Sequence, residues 1–138
     1  YLDEDSISYK EFTASDSNDI GSVVQSAIEY ADVIYIPTDN TMAQNTEAIN
    51  NIALPAGVPI IAGEEGICSG CGVATLSISY YDIGYKAGEM AYDILVNGAD
   101  ISTMNVESAP QVTKEYNKDI CDQLGITIPD DYTAIETN

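Results

Sequence analysis

Three short stretches carry side chains suited to holding a small polar molecule: Thr38-Asp39-Asn40, the Gly63-Glu64-Glu65-Gly66 turn, and the Ser77, Ser79, Tyr80 and Tyr81 group. Asp39 and Glu64 would accept from an ammonium or a hydroxyl, with Glu65 and the serine hydroxyls beside them, and the tyrosines offer ring faces. Each feature also has a plain structural reading. Asp39 and Asn40 are preferred helix N-cap types, Glu64 and Glu65 equally suit a solvated loop, and Tyr80 and Tyr81 equally suit packing at a helix entry. Spacing alone leaves both readings open.

A fourth candidate is Cys68-Ser69-Gly70-Cys71, a C-x-x-C. Without a second pair or any histidine it is half a zinc site, so no metal is expected. Redox C-x-x-C motifs lower a thiol pKa by opening a helix. This one lies between glycines in what reads as a long loop leading into a strand, so thiol–disulfide catalysis is a weak reading. Gly70 and Gly72 allow a tight turn, which gives the expectation of a Cys68–Cys71 disulfide with Cys121 free and half-buried; two free thiols is the alternative.

The absence of histidine removes the commonest general base and excludes a Ser-His-Asp triad within the chain. No catalytic set and no cofactor are expected. Four lysines face 23 acidic residues, a net charge of −19. That balance argues against nucleic acid as a partner, because binding it takes cations that displace phosphate counterions, and against docking on an anionic membrane. No apolar run reaches the ~18 residues of a membrane span, and no leader opens the sequence.

The elements that must position these groups alternate in hydrophobic period, a β-α-β layout. Residues 1–5 read as the tail of a helix and 6–12 as a strand. Ile20, Val23, Val24, Ala27, Ile28 and Ala31 share one helical face. Residues 33–36 and 59–62 are short apolar runs, read as parallel strands buried on both faces. Between them a helix runs to about Leu54, and 73–78 is a third strand. From Tyr80 to about Asn97 comes the most amphipathic helix, with Ile83, Ala87, Met90, Ala91, Ile94 and Leu95 as its stripe and Gly98 as its cap. Residues 104–107 and 112–116 read as short strands, 117–124 as a helix ended by Gly125, and the tail from Pro129 as loosely held. In an open parallel sheet, ligands bind at the carboxyl ends of the strands, and all three candidate stretches follow strands. Helix N-termini there would suit a ligand carboxylate.

Three ordered motifs, DVIYIPTDN (32–40), IAGEEG (61–66) and ATLSISYYDIG (74–84), resemble the ABC transporter solute-binding proteins related to tryptophan- and tyrosine-binding lipoproteins, in the periplasmic-binding-protein type I group. The resemblance implies an α/β fold, a three-layer parallel-sheet lobe, in a fragment lacking most of the first lobe. Residues 6–73 and 112–116 would form the second lobe, 80–105 a helix and hinge segment belonging with the first, and 129–138 the tail. It implies no enzyme. It implies instead an extracytoplasmic receptor, lipid-tethered through a signal not in this chain, that delivers an amino acid, aromatic for preference, to an ABC permease. Thr38, Asp39, Asn40, Glu64, Glu65, Ser77, Ser79 and Tyr80 would line an interlobe cleft. The Cys68–Cys71 loop departs from the family pattern. The alternative is the effector-binding domain of a sugar-responsive transcription regulator. With the first lobe missing, the Tyr80 helix would lack its partner, and the chain is expected to self-associate through the open stripe.

Overall fold

The computed structural model describes residues 2–109 and 111–136. Along the chain run α1 (Ile20–Ile28), β1 (Ile34–Ile36), α2 (Asn40–Ala43), α3 (Thr46–Ala53), β2 (Ile60–Ala62), α4 (Glu65–Cys71), β3 (Ala74–Ile78), α5 (Tyr80–Leu95), a 3-10 turn (Ile101–Thr103), β4 (Val112–Tyr116), α6 (Lys118–Leu124) and β5 (Thr133–Ala134). The five strands form one sheet in sequential order. β1, β2 and β3 are parallel, β4 runs antiparallel to β3, and β5 is parallel to β4.

Strand register divides the side chains between two faces. Ile36 pairs with Ala62 and Ala62 with Thr75, and these residues are buried together with Ile60. Against that face pack Ile20 and Val24 of α1, Ile49 and Ala53 of α3, and Ile67, Cys68 and Cys71 of α4. Burying each large aliphatic side chain contributes about 1.5–3 kcal/mol, which makes this layer the stabilising centre. A smaller cluster forms where Val73, Ile120 and Cys121 meet Leu54, Tyr116 and Leu124.

The other face differs from the expectation of strands buried on both sides. Tyr35 is 65% exposed and Leu76 55%, with Ile61 and Val112 also open. Period-two alternation has assigned the apolar residues of each strand to both faces, and α1, α3 and α4 cover only one.

Several sequence expectations are corrected. Residues 2–6 form turns rather than a helix tail, and Tyr1 lies outside the described residues. The 6–12 segment is not a strand: its ring-bearing end is taken up by Phe12 against Tyr30 (6.0 Å between centroids), with the Lys10 ammonium 4.7 Å from the Phe12 ring. The single helix expected up to Leu54 is split into α2 and α3, and residues 104–107 form no strand. The tail is held more than expected, because β5 pairs with Glu115 and Tyr116 of β4 and Asp131 accepts from Lys114 at 2.5 Å.

The largest correction is α4, which occupies the stretch read as a loop. Glycines at 63, 66, 70 and 72 disfavour a helix by propensity, but Gly70 admits Thr46 so closely that an added Cβ would stand 2.2 Å from its Oγ1. Close packing of α4 on α3 overrides the local preference. The expected disulfide is absent: Cys68 and Cys71 are free, buried thiols within one helix, and Cys121 is fully buried rather than half-buried. Their side chains serve the apolar core, and Cys71 Sγ donates to the Ile67 carbonyl within the same helix. Burial pushes the Cys68 and Cys71 thiols up to about 12 and raises that of Cys121, the opposite of the activated thiol that redox chemistry needs. Iodoacetamide at neutral pH should therefore leave all three thiols intact in the native chain and modify all three in denaturant. Rapid native labelling of Cys68 or Cys71, read by mass spectrometry, would contradict this placement.

Gly98 and Gly125 stand at positive φ beyond α5 and α6, as their sequence positions suggest. No residue of α5 is buried, and its stripe stays open. No helix among the described residues is long and apolar enough to cross a membrane.

Candidate functional site

Parallel β1, β2 and β3 bring the three candidate stretches to one edge of the sheet. After β1, Thr38 donates its hydroxyl to the Gly63 carbonyl at 3.1 Å, linking the first stretch to the second. Asp39 is the N-cap of α2 and accepts from Met42 N at 2.9 Å. Glu64 is the N-cap of α4, its carboxylate accepting from Gly66 N at 2.9 Å and from Ile67 N. Ser79 caps α5 by accepting from Asp82 N at 3.1 Å. Capping thus accounts for both acids singled out as ammonium acceptors, each of which meets one or two N–H groups of the helix that follows it. Asn40 is the exposed first residue of α2.

A cleft of about 410 Å³ opens at the same edge, lined by Glu65, Ser77, Ile78, Ser79, Tyr80, Tyr81, Thr113 and Glu115. Four of the expected residues meet there: Glu65, Ser77, Ser79 and Tyr80. Thr38, Asp39, Asn40 and Glu64 do not line it. Thr113 and Glu115 were missed because they come from β4, and only antiparallel pairing with β3 places them. Ser77 lies opposite Thr113 and Thr75 opposite Glu115. The alternation of Thr113 and Glu115 with Val112, Lys114 and Tyr116 was the available signal, but it is silent on which strand they face.

The floor of the cleft is polar and under-satisfied. Ser77 is 3% exposed, yet its Oγ and one carboxylate oxygen of Glu115 are buried without a hydrogen-bond partner, as is the Oγ1 of Thr75, which is paired with Glu115 across the ladder but does not line the cleft. Such groups cost about 1–3 kcal/mol each when left unpaired. Burial, and then the charge of Glu65, raise the Glu115 pKa above the ordinary carboxylate value. A carboxyl raised in the folded state destabilises the fold when ionised, and this penalty is relieved as pH falls through its folded pKa.

The rim is aromatic and open, with Tyr80 59% and Tyr81 78% exposed and Tyr81 stacked on Tyr85 (6.4 Å between centroids). No lysine lines the cleft. Lys114 pairs with Asp131, Lys118 with Asp122, and Lys86 with Glu89 at 3.8 Å. Among the described residues no group of three or more His, Cys, Asp or Glu side chains could hold a metal.

The family described as "ABC transporter substrate binding protein" matches residues 1–137. The chain belongs to this family. Among curated relatives, a tyrosine-binding protein of Clostridioides difficile (strain R20291) is 32% identical over 105 residues, 76% of this chain and 30% of the relative. Three solved structures share the fold. One is the ligand-free, open form of a substrate binding protein with adhesive properties from Clostridium difficile (TM-score 0.78, 31% identity), covering 100% of this chain and 47% of its own. Another is a conserved domain protein from Vibrio cholerae (TM-score 0.84, 31% identity, 96% of this chain and 46% of that one). The third is an ABC domain in complex with L-Trp from Streptococcus pneumonia (TM-score 0.82, 27% identity, 94% and 44%). The chain therefore spans under half the length of each of these.

Proposed function

We propose that the chain is part of an extracytoplasmic receptor that carries an aromatic amino acid to an ABC permease, and that the ligand lies against the β3–β4 cleft. The observation that carries this reading is the composition of the cleft, in which acids and serine hydroxyls at the floor meet two tyrosines at the rim. A pocket that combines apolar surface with a few convergent polar groups is the usual form of a small-molecule site. Aromatic rings offer stacking surface to a ligand ring. A relative named for tyrosine and a structure holding L-Trp support the choice of ligand. With no cation in the cleft, the ligand's carboxylate is met by groups beyond those that line it.

In this reading α5 and the 3-10 turn belong with a first lobe, which closes over the cleft and covers the open stripe of α5. The receptor is tethered to the membrane by a lipid. Where the first lobe is missing, copies of the 138-residue chain pair through α5, and sedimentation of this chain should show mass rising with concentration; a monomer throughout would count against the lobe assignment.

Calorimetry on the full-length protein tests the ligand. Saturable heat is expected with L-tyrosine or L-tryptophan and none with D-ribose. Sugar binding in the absence of amino-acid binding would overturn the reading.

A further inference from the structure

Glu65 reaches the cleft from the first turn of α4 and Glu115 from β4, close enough that the charge of one raises the pKa of the other. Two carboxylates facing one cleft repel each other unless a cation stands between them. Ser77, on the strand paired with β4, turns a buried hydroxyl without a partner toward the same space. We propose that the floor of the cleft is an ammonium subsite, in which a primary ammonium donates to Glu65, to the unpaired oxygen of Glu115 and to the Ser77 hydroxyl. The inference rests on the cleft being the ligand site.

The chemistry selects this ligand group from its rivals. A carboxylate or phosphate would add a third negative charge. A neutral hydroxyl has one hydrogen to donate and leaves the repulsion in place. A divalent metal calls for more oxygen ligands than two acids supply, and no three-residue metal cluster occurs among the described residues. An ammonium brings three donors and one positive charge to three acceptors. Asp39 and Glu64, the other acids at this sheet edge, are occupied by the backbone N–H groups of α2 and α4.

The test is calorimetry on the full-length protein with L-tyrosine, with its desamino acid hydroxyphenylpropanoate, with tyramine, and with a panel of other amino acids and primary amines. The wild type is expected to bind L-tyrosine at least about tenfold more tightly than the desamino acid, since charge-assisted hydrogen bonds are the strong ones. Glu115→Gln and Glu65→Gln should each erase that preference, chiefly by weakening L-tyrosine about tenfold. Glu65 is exposed, so its variant keeps the test valid even where a change at Glu115 disturbs the fold. If aromatic amino acids fail but another amine binds and loses about tenfold with Glu65→Gln, the aromatic reading falls and the ammonium subsite stands. An unchanged preference in both variants overturns the subsite. So does a panel in which no primary amine binds, and so does a preference that Asp39→Ala removes while the glutamine variants keep it.

Discussion

Replacing Asn117 with aspartate is expected to cost the fold about 3–5 kcal/mol at neutral pH, the range for leaving a buried charge uncompensated. Asn117 is 3% exposed. Its Oδ1 accepts from Ile120 N at 3.2 Å, capping α6. Its Nδ2 donates to the carbonyls of Cys68 (3.3 Å) and Ser69 (2.8 Å) in the last turn of α4. One amide thus satisfies orphan groups at the start of one helix and the end of another. Aspartate keeps the shape and the cap but loses the donor, and it sets a negative charge against two carbonyl oxygens at the negative end of a helix. The same repulsion raises the pKa of the new carboxyl, so the loss is greatest at neutral pH and is partly recovered as pH falls through that value. Urea unfolding at pH 7 and pH 5 measures both effects. Equal midpoints for variant and wild type at pH 7 would show that the amide hydrogens contribute nothing.

Gly63→Ala is expected to cost about 3 kcal/mol, at the upper end for overpacking. A Cβ there would lie 2.6 Å from Thr38 N, 2.9 Å from the Pro37 carbonyl carbon and 3.1 Å from Ile36 O. All three atoms are backbone, so no rotamer change relieves the clash. The strand exits must part, breaking Gly63 N–H to Ile36 O (2.8 Å) and the Thr38 hydroxyl bond to Gly63 O. Gly84→Ala on α5 is the control. An added Cβ meets nothing within 4 Å, and a helix interior gains about 0.5–1 kcal/mol from the exchange. Thermal melting should separate the two in opposite directions. A Gly63 variant as stable as the wild type would mean that β1 and β2 do not meet at this point.

Both predictions concern positions whose importance is hard to read in the sequence. Three parallel strands, the helix from Tyr80 and the Gly125 cap were legible because each rests on a local signal, either an apolar run, a 3.6-residue period or a glycine after a helix. α4 was not, since what makes it a helix is the space that Gly70 leaves for Thr46, a residue of α3. The disulfide expectation failed with it, because the tight turn it required does not exist. The site was half legible. The rule that ligands gather at strand ends led to Glu65, Ser77, Ser79 and Tyr80. It also led to Asp39 and Glu64, whose carboxylates turned to their own helices. Glu115 required knowing that a strand beginning 34 residues beyond Ile78 returns beside it, a long-range pairing that no local pattern encodes.

That return has an engineering consequence. Ile78, the last residue of β3, is paired across the ladder with Val112, the first of β4. Everything between them leaves and re-enters the sheet at a single point, and none of α5 is buried in the body. A two-residue type I′ turn such as Asn-Gly joins antiparallel strands at that separation. Excising residues 79–111 and closing the gap with such a turn would convert β3 and β4 into an ordinary hairpin while retaining the helices and strands of the main core. The shortened polypeptide would lose Ser79, Tyr80 and Tyr81 but keep Glu65, Ser77, Thr113 and Glu115. Under the proposed function, such a molecule would keep the ammonium subsite and lose the aromatic rim.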